Sequence, residues 1–80
     1  MIEEALDHVV RAIVDNPDDV DVRVRSGRQG RMYEVRVSPD DIGRVIGRAG
    51  RTATAVRTVM GALNGKGRPP RIDFVESRGR

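Results

Sequence analysis

Ser38-Pro39-Asp40-Asp41-Ile42-Gly43-Arg44-Val45-Ile46-Gly47-Arg48-Ala49-Gly50-Arg51-Thr52-Ala53 decides how this chain is read. Ser38 is placed to cap a helix, Pro39 fits its first position, and Asp41 completes a capping-box-like pair. The helix runs to about Ile46, with Ile42, Val45 and Ile46 on its apolar side. Two glycines three apart then bracket Arg48 and Ala49. Gly47 is expected to end the helix in the left-handed conformation, where it meets no Cβ penalty. Gly50 lets the backbone turn tightly into the next helix. That helix N-terminus offers unpaired N–H groups and a partial positive charge, which suit a phosphate. Arg48 and Arg51 flank the spot with fixed charge. A GxxG taken alone is equally a tight helix–helix turn with solvated arginines, so the neighbouring elements carry the decision.

Downstream, residues 51–64 read as a helix with Ala53, Val56, Met60 and Leu63 on one face, widened by Ala55, Val59 and Ala62. Asn64-Gly65 ends it. Lys66-Gly67-Arg68-Pro69-Pro70 is a basic loop, excluded from helix and central strand by its prolines. Residues 71–76 form a strand with Ile72 and Phe74 facing in, and Ser77-Arg78-Gly79-Arg80 is expected to fray. Upstream, Ile2, Leu6, Val9, Val10 and Ile13 recur at helical spacing over residues 2–15, and Asn16-Pro17 stops that helix. Val20, Val22 and Val24 alternate with Asp21, Arg23 and Arg25, the period of a strand with one buried face. Ser26-Gly27-Arg28-Gln29-Gly30 makes a turn, and Tyr33, Val35 and Val37 alternate with polar residues in a second strand.

The order is α-β-β-α-α-β. The first two strands form an antiparallel hairpin. The last two are joined by a helical crossover and should run parallel. The strand at 31–38 is then central in a three-stranded mixed sheet. The expected class is α+β, with three helices covering one sheet face and leaving the other exposed.

Eighty residues make one domain, 1–80. No cysteine is present and the only histidine is His8, so thiolate and multi-histidine metal sites are excluded and no cofactor is expected. No apolar run approaches a membrane span, and the acidic start lacks the basic region of a signal peptide, so a soluble cytoplasmic protein is expected. Charge is uneven. Residues 1–21 hold Arg11 against seven acidic residues, a net −6, whereas residues 22–80 carry fourteen basic and five acidic residues, a net +9. Thirteen of those fourteen are arginine, suited to bidentate phosphate contacts. This asymmetry points to a polyanionic partner, although a merely solvated basic surface gives the same composition. An enzyme is disfavoured. Asp40-Asp41 is explained by the helix start, and Thr52 and Thr54 have no neighbouring base in the sequence.

With Pro39-Asp40-Asp41-Ile42-Gly43-Arg44-Val45-Ile46-Gly47-Arg48-Ala49-Gly50-Arg51-Thr52-Ala53 and then Ala55-Val56-Arg57-Thr58 in this order of elements, the chain resembles the KH RNA-binding domain in its prokaryotic, type II form. It is most similar to the small single-KH-domain proteins of bacteria, of the KhpA type. The resemblance covers essentially the whole chain. Ala53 departs from it, because many KH motifs place isoleucine there, and this makes the groove wall shallower. The resemblance implies a groove for about four nucleotides of single-stranded RNA, with the GxxG loop on the phosphate backbone. The residues it assigns to RNA are Arg44, Val45, Ile46, Gly47, Arg48, Ala49, Gly50, Arg51 and Ala53. Arg57 is a weaker candidate for steering the backbone. Lys66 and Arg68 would form the opposite lip, unless that loop is only solvated. The resemblance also implies a homodimer, or a heterodimer with a larger Jag-type KH protein, and an RNA-chaperone role linked to cell shape and wall synthesis.

Two other classes remain open on sequence. Helix, glycine turn and helix also fit a helix-turn-helix reader of duplex DNA, with Arg51 and Arg57 on the second helix. A protein–protein interaction module is the other, since Val59, Met60 and Leu63 suit a subunit interface as well as a core. With only Tyr33 and Phe74 as aromatics, a stacking platform of the RRM or OB type is disfavoured.

Overall fold

The computed structural model describes residues 2–28, 30–65 and 70–77. Helix α1 (Ile2–Ile13) carries Glu3 and Glu4 in its first turn and Arg11 in its last, each complementing the helix dipole. Its apolar residues bury a stripe of Ile2, Leu6 and Val10, with Val9 and Ile13 partly buried beside it. The helix ends before residue 15, the limit its spacing suggests. Pro17 excludes the residue before it from helical geometry, and the chain passes into a short 3-10 turn at Pro17–Asp19. Val14 remains buried just past the helix end.

Strands β1 (Asp21–Gly27), β2 (Gly30–Val37) and β3 (Arg71–Glu76) form one sheet in the order β1-β2-β3. The hairpin pair is antiparallel and β2 pairs with β3 in parallel, as the connections require. Both hairpin strands reach further toward the turn than expected, so that Gly27 stands opposite Gly30. β2 is central and turns Tyr33, Val35 and Val37 into the core. The edge strand β1 departs from the expected buried face. Val20 is buried and Val22 partly so, but Val24 is 36% exposed. Helix α1 lies along the Val20 and Val22 end of the strand, where a shallow hollow separates the two, and the far end of the edge strand extends past this cover.

Helix α2 (Ile42–Ile46) buries Val45, and α3 (Arg51–Asn64) buries Ala53, Val56 and Met60. Val45, Val56 and Met60 meet Leu6, Val10, Val35, Val37 and Ile72 in one cluster. Full burial of one such leucine or valine side chain is worth about 2 kcal/mol. Two residues assigned to the core by spacing stay outside it. Val59 is 51% exposed and Leu63 59%, because α3 turns only its Ala53, Val56 and Met60 stripe toward the sheet. The outer sheet face is laced with ion pairs, including Arg23 to Asp21 at 2.8 Å, and Glu34 to Arg36 at 3.4 Å and to Arg25 at 3.7 Å. No helix is long and apolar enough to cross a membrane among the described residues. The basic loop at Lys66 and Arg68 and the tail at 78–80 lie outside the described residues.

Candidate nucleic-acid interface

The start of α2 is built by Ser38, whose Oγ accepts a hydrogen bond from the Asp40 N–H at 3.2 Å, with Pro39 next to it. Asp41 does not complete a capping box. Its side chain is 1% exposed and turns away to the end of α1. There Oδ1 accepts from the Asp15 N–H at 3.2 Å, and Oδ2 accepts from the N–H and Nδ2 of Asn16 at 2.9 and 3.1 Å. Burial alone would push this carboxyl up. The hydrogen bonds from Asp15 and Asn16, with the nearby Arg44 charge, outweigh it and hold the group below its ordinary value. Local sequence carries no sign of this role, since the donors come from the far side of the hairpin.

The GxxG loop differs in detail from its expected geometry. Gly47 has φ 79° and ψ 169°, a positive φ combined with an extended ψ, rather than the left-handed helical conformation. Its N–H closes α2 on the Gly43 carbonyl at 2.8 Å. A Cβ here would overlap the Thr52 side chain and sit 2.8 Å from the Thr52 backbone N, so only glycine lets α2 and α3 approach this closely. The left-handed residues are Ala49 (φ 55°, ψ 27°) and Gly50 (φ 75°, ψ 14°). The Gly50 N–H reaches the Gly47 carbonyl at 3.1 Å, closing a 3-10 turn over Arg48–Gly50. Helix α3 then starts with no side-chain cap; the Arg51 N–H that opens it is taken up by the Arg48 carbonyl, and the helix N–H groups after it have no side-chain acceptor at the cap.

The candidate residues divide into two layers. Arg44, Arg48, Ala49 and Arg51 are exposed, and Ile46, Gly47 and Gly50 partly so. Val45 and Ala53 are 1% and 3% exposed, behind the surface and packed in the core. Arg48 and Arg51 have no ion-pair partner among the described residues. Arg44 has one, Asp15 Oδ2 at 3.1 Å. Arg57 is held elsewhere: its Nε donates to the Ile72 carbonyl at 3.1 Å and its guanidinium sits 5.7 Å from the centre of the Phe74 ring. It ties α3 to β3. Neither the Asp41 clasp nor the pairing of Arg44 was visible in local sequence.

A family model described as the KH domain of KhpA/KhpB matches residues 3–73. The chain is 62% identical over 76 residues to the RNA-binding protein KhpA of Streptomyces coelicolor, covering 95% of this chain and 94% of the relative. It is 52% identical over 77 residues to the RNA-binding protein KhpA of Mycobacterium tuberculosis, covering 96% and 94%. The protein of the same name from Borreliella burgdorferi is 41% identical over 63 residues, covering 79% and 77%. No solved structure matches the chain. With this element order, a GxxG turn between two packed helices and a family match across most of its length, the chain belongs to the KhpA/KhpB family of KH domains.

Proposed function

We propose that this protein binds single-stranded RNA, with a phosphate of the strand seated on the GxxG loop at the start of α3. The observation that carries the reading is the coincidence, at one place, of an uncapped helix N-terminus and two arginines without ion-pair partners among the described residues, Arg48 and Arg51. The other arginine-rich surface, the outer sheet face, neutralises much of its own charge. Gly47 and Gly50 give a phosphate close access to the backbone. Arg44, Arg48 and Arg51 supply charge, Ile46 offers apolar surface to a base, and Val45 and Ala53 support it from behind. The relatives' shared description as RNA-binding proteins agrees with this.

The reading extends to the finer roles that the family resemblance implies, an RNA chaperone linked to cell shape and cell-wall homeostasis. It also includes pairing through α3, with a second copy or with a larger Jag-type KH protein. Val59 and Leu63 support the pairing, being one turn apart and largely exposed. Leu63 also borders a hollow of about 540 Å³ lined with Ile2, Ala5, Arg31 and Tyr33. The three-stranded sheet and the family favour RNA over the helix-turn-helix alternative. Binding titrations with single-stranded RNA and duplex DNA at one salt concentration test the choice. Tighter binding of the single strand is expected, and a preference for duplex DNA would overturn it.

A further inference from the structure

Of the arginines that border the GxxG loop, Arg44 alone faces an anion among the described residues. Its guanidinium meets Asp15 Oδ2 at 3.1 Å, and both side chains are more than half exposed. The partner is not there by accident of a mobile side chain. The Asp15 N–H is bonded to the buried carboxylate of Asp41, and Asn16 is bonded to the same group. Asp41 stands three residues before Arg44, so the anchor for Asp15 and the arginine it neutralises belong to one rigid segment. The Asp15 backbone is fixed, while its carboxylate is free to leave.

We propose that Asp15 is an internal competitor for the phosphate that Arg44 contacts, and so is an affinity-setting residue of the RNA site. This rests on the single-stranded RNA reading above and adds to it. An exposed ion pair is weak, so a phosphate already held by the loop amides displaces Asp15. The exchange cancels much of what Arg44 contributes. Asp18 and Asp19 follow in the short turn at Pro17–Asp19.

The test compares the parent with Asp15→Asn, Asp18→Asn, Arg44→Gln and the two double variants Arg44→Gln/Asp15→Asn and Arg44→Gln/Asp18→Asn. The probe is a short labelled single-stranded RNA of mixed sequence at low salt. Asp15→Asn should bind about two- to fivefold tighter, and more tightly than Asp18→Asn, which removes equal charge from a nearby position in the sequence. In the Arg44→Gln background, Asp15→Asn should give no more than Asp18→Asn gives there. Equal gains from the two neutralised aspartates in the parent, or a gain from Asp15→Asn that still exceeds that of Asp18→Asn in the Arg44→Gln background, would overturn the inference and leave the RNA reading standing. The residue at 15 keeps its backbone N–H for Asp41, so the fold should hold. Melting curves check this, with Asp15→Ser as a second neutral variant. If Arg48→Asp/Ala49→Asp binds like the parent, the RNA reading itself falls, and this inference with it.

Discussion

The buried carboxylate of Asp41 accepts a hydrogen bond from the Asn16 backbone N–H at 2.9 Å, joining the start of α2 to the end of α1. This contact fixes the helix layer beside the GxxG loop, and it is sensitive to pH. The folded-state carboxyl titrates below its ordinary value, because hydrogen bonds and Arg44 outweigh the opposing effect of burial. Its contribution is therefore fully present above the ordinary carboxylate range and is lost as pH falls through the depressed folded value. Asp41→Asn should lower the melting temperature at pH 7 by several degrees. The gap between variant and parent should narrow as acid protonates the parent. Thermal melts from pH 7 down to about 3 measure this, and a gap that widens in acid would contradict it.

The two loop glycines should differ in their tolerance of alanine. At Gly47 a Cβ collides with Thr52 and its backbone, whereas at Gly50 a Cβ meets nothing within 4 Å. Gly50→Ala should cost only the left-handed penalty of about 1–2 kcal/mol, which Ala49 already bears. Gly47→Ala must also push the helices apart and should cost at least about 3 kcal/mol, in the range of severe core substitutions. Denaturant titrations of both variants check the order, and equal losses would mean that the helices do not meet at Gly47 as described.

Leu6 and Val35 are fully buried in the central cluster. Leu6→Ala should destabilise by about 2–5 kcal/mol and Val35→Ala by somewhat less. A domain of this size has little more than that to lose. The readout is the melting temperature, with RNA affinity of the remaining folded protein unchanged.

Leu63→Lys and Val59→Lys, singly or together, should leave the stability of the monomer within about 0.5 kcal/mol of the parent, as expected for exposed positions. On the proposed pairing through α3, they should shift the sedimentation coefficient toward that of a monomer. A dimer that survives both substitutions would place the subunit contact elsewhere.

Much of this fold was legible because the periodicities are clean. The valines of β2, the stripe of α1 and the proline and glycine punctuation fixed the order, the central strand and the mixed sheet. The errors have a common origin. Val24, Val59 and Leu63 have the right spacing for burial, but three helices cannot cover the far end of an edge strand, and α3 faces the sheet over a narrow stripe. Asp41 looked like a local cap because the sequence shows only neighbours, while its donors lie on the other side of the hairpin. In the candidate site, the glycine turn between two helices and the arginines beside it were readable from residue type and spacing. The depth of Val45 and Ala53, and the pairing of Arg44 with Asp15, depend on tertiary packing.

The most direct test of the proposed RNA site is the replacement of Arg48 and Ala49 together by Asp. Both are exposed, and aspartate tolerates the left-handed backbone that Ala49 adopts, so the fold should survive, with circular dichroism as the check. Two negative charges would then stand beside the amides proposed to hold the phosphate. Affinity for a short single-stranded RNA, titrated at several salt concentrations, should fall at least tenfold, which needs only about 1.4 kcal/mol. The slope of log affinity against log salt should flatten by about 0.7 for each phosphate that the protein no longer neutralises. A folded double variant that binds RNA as tightly as the parent would contradict the account and move the function to the α3 interaction surface.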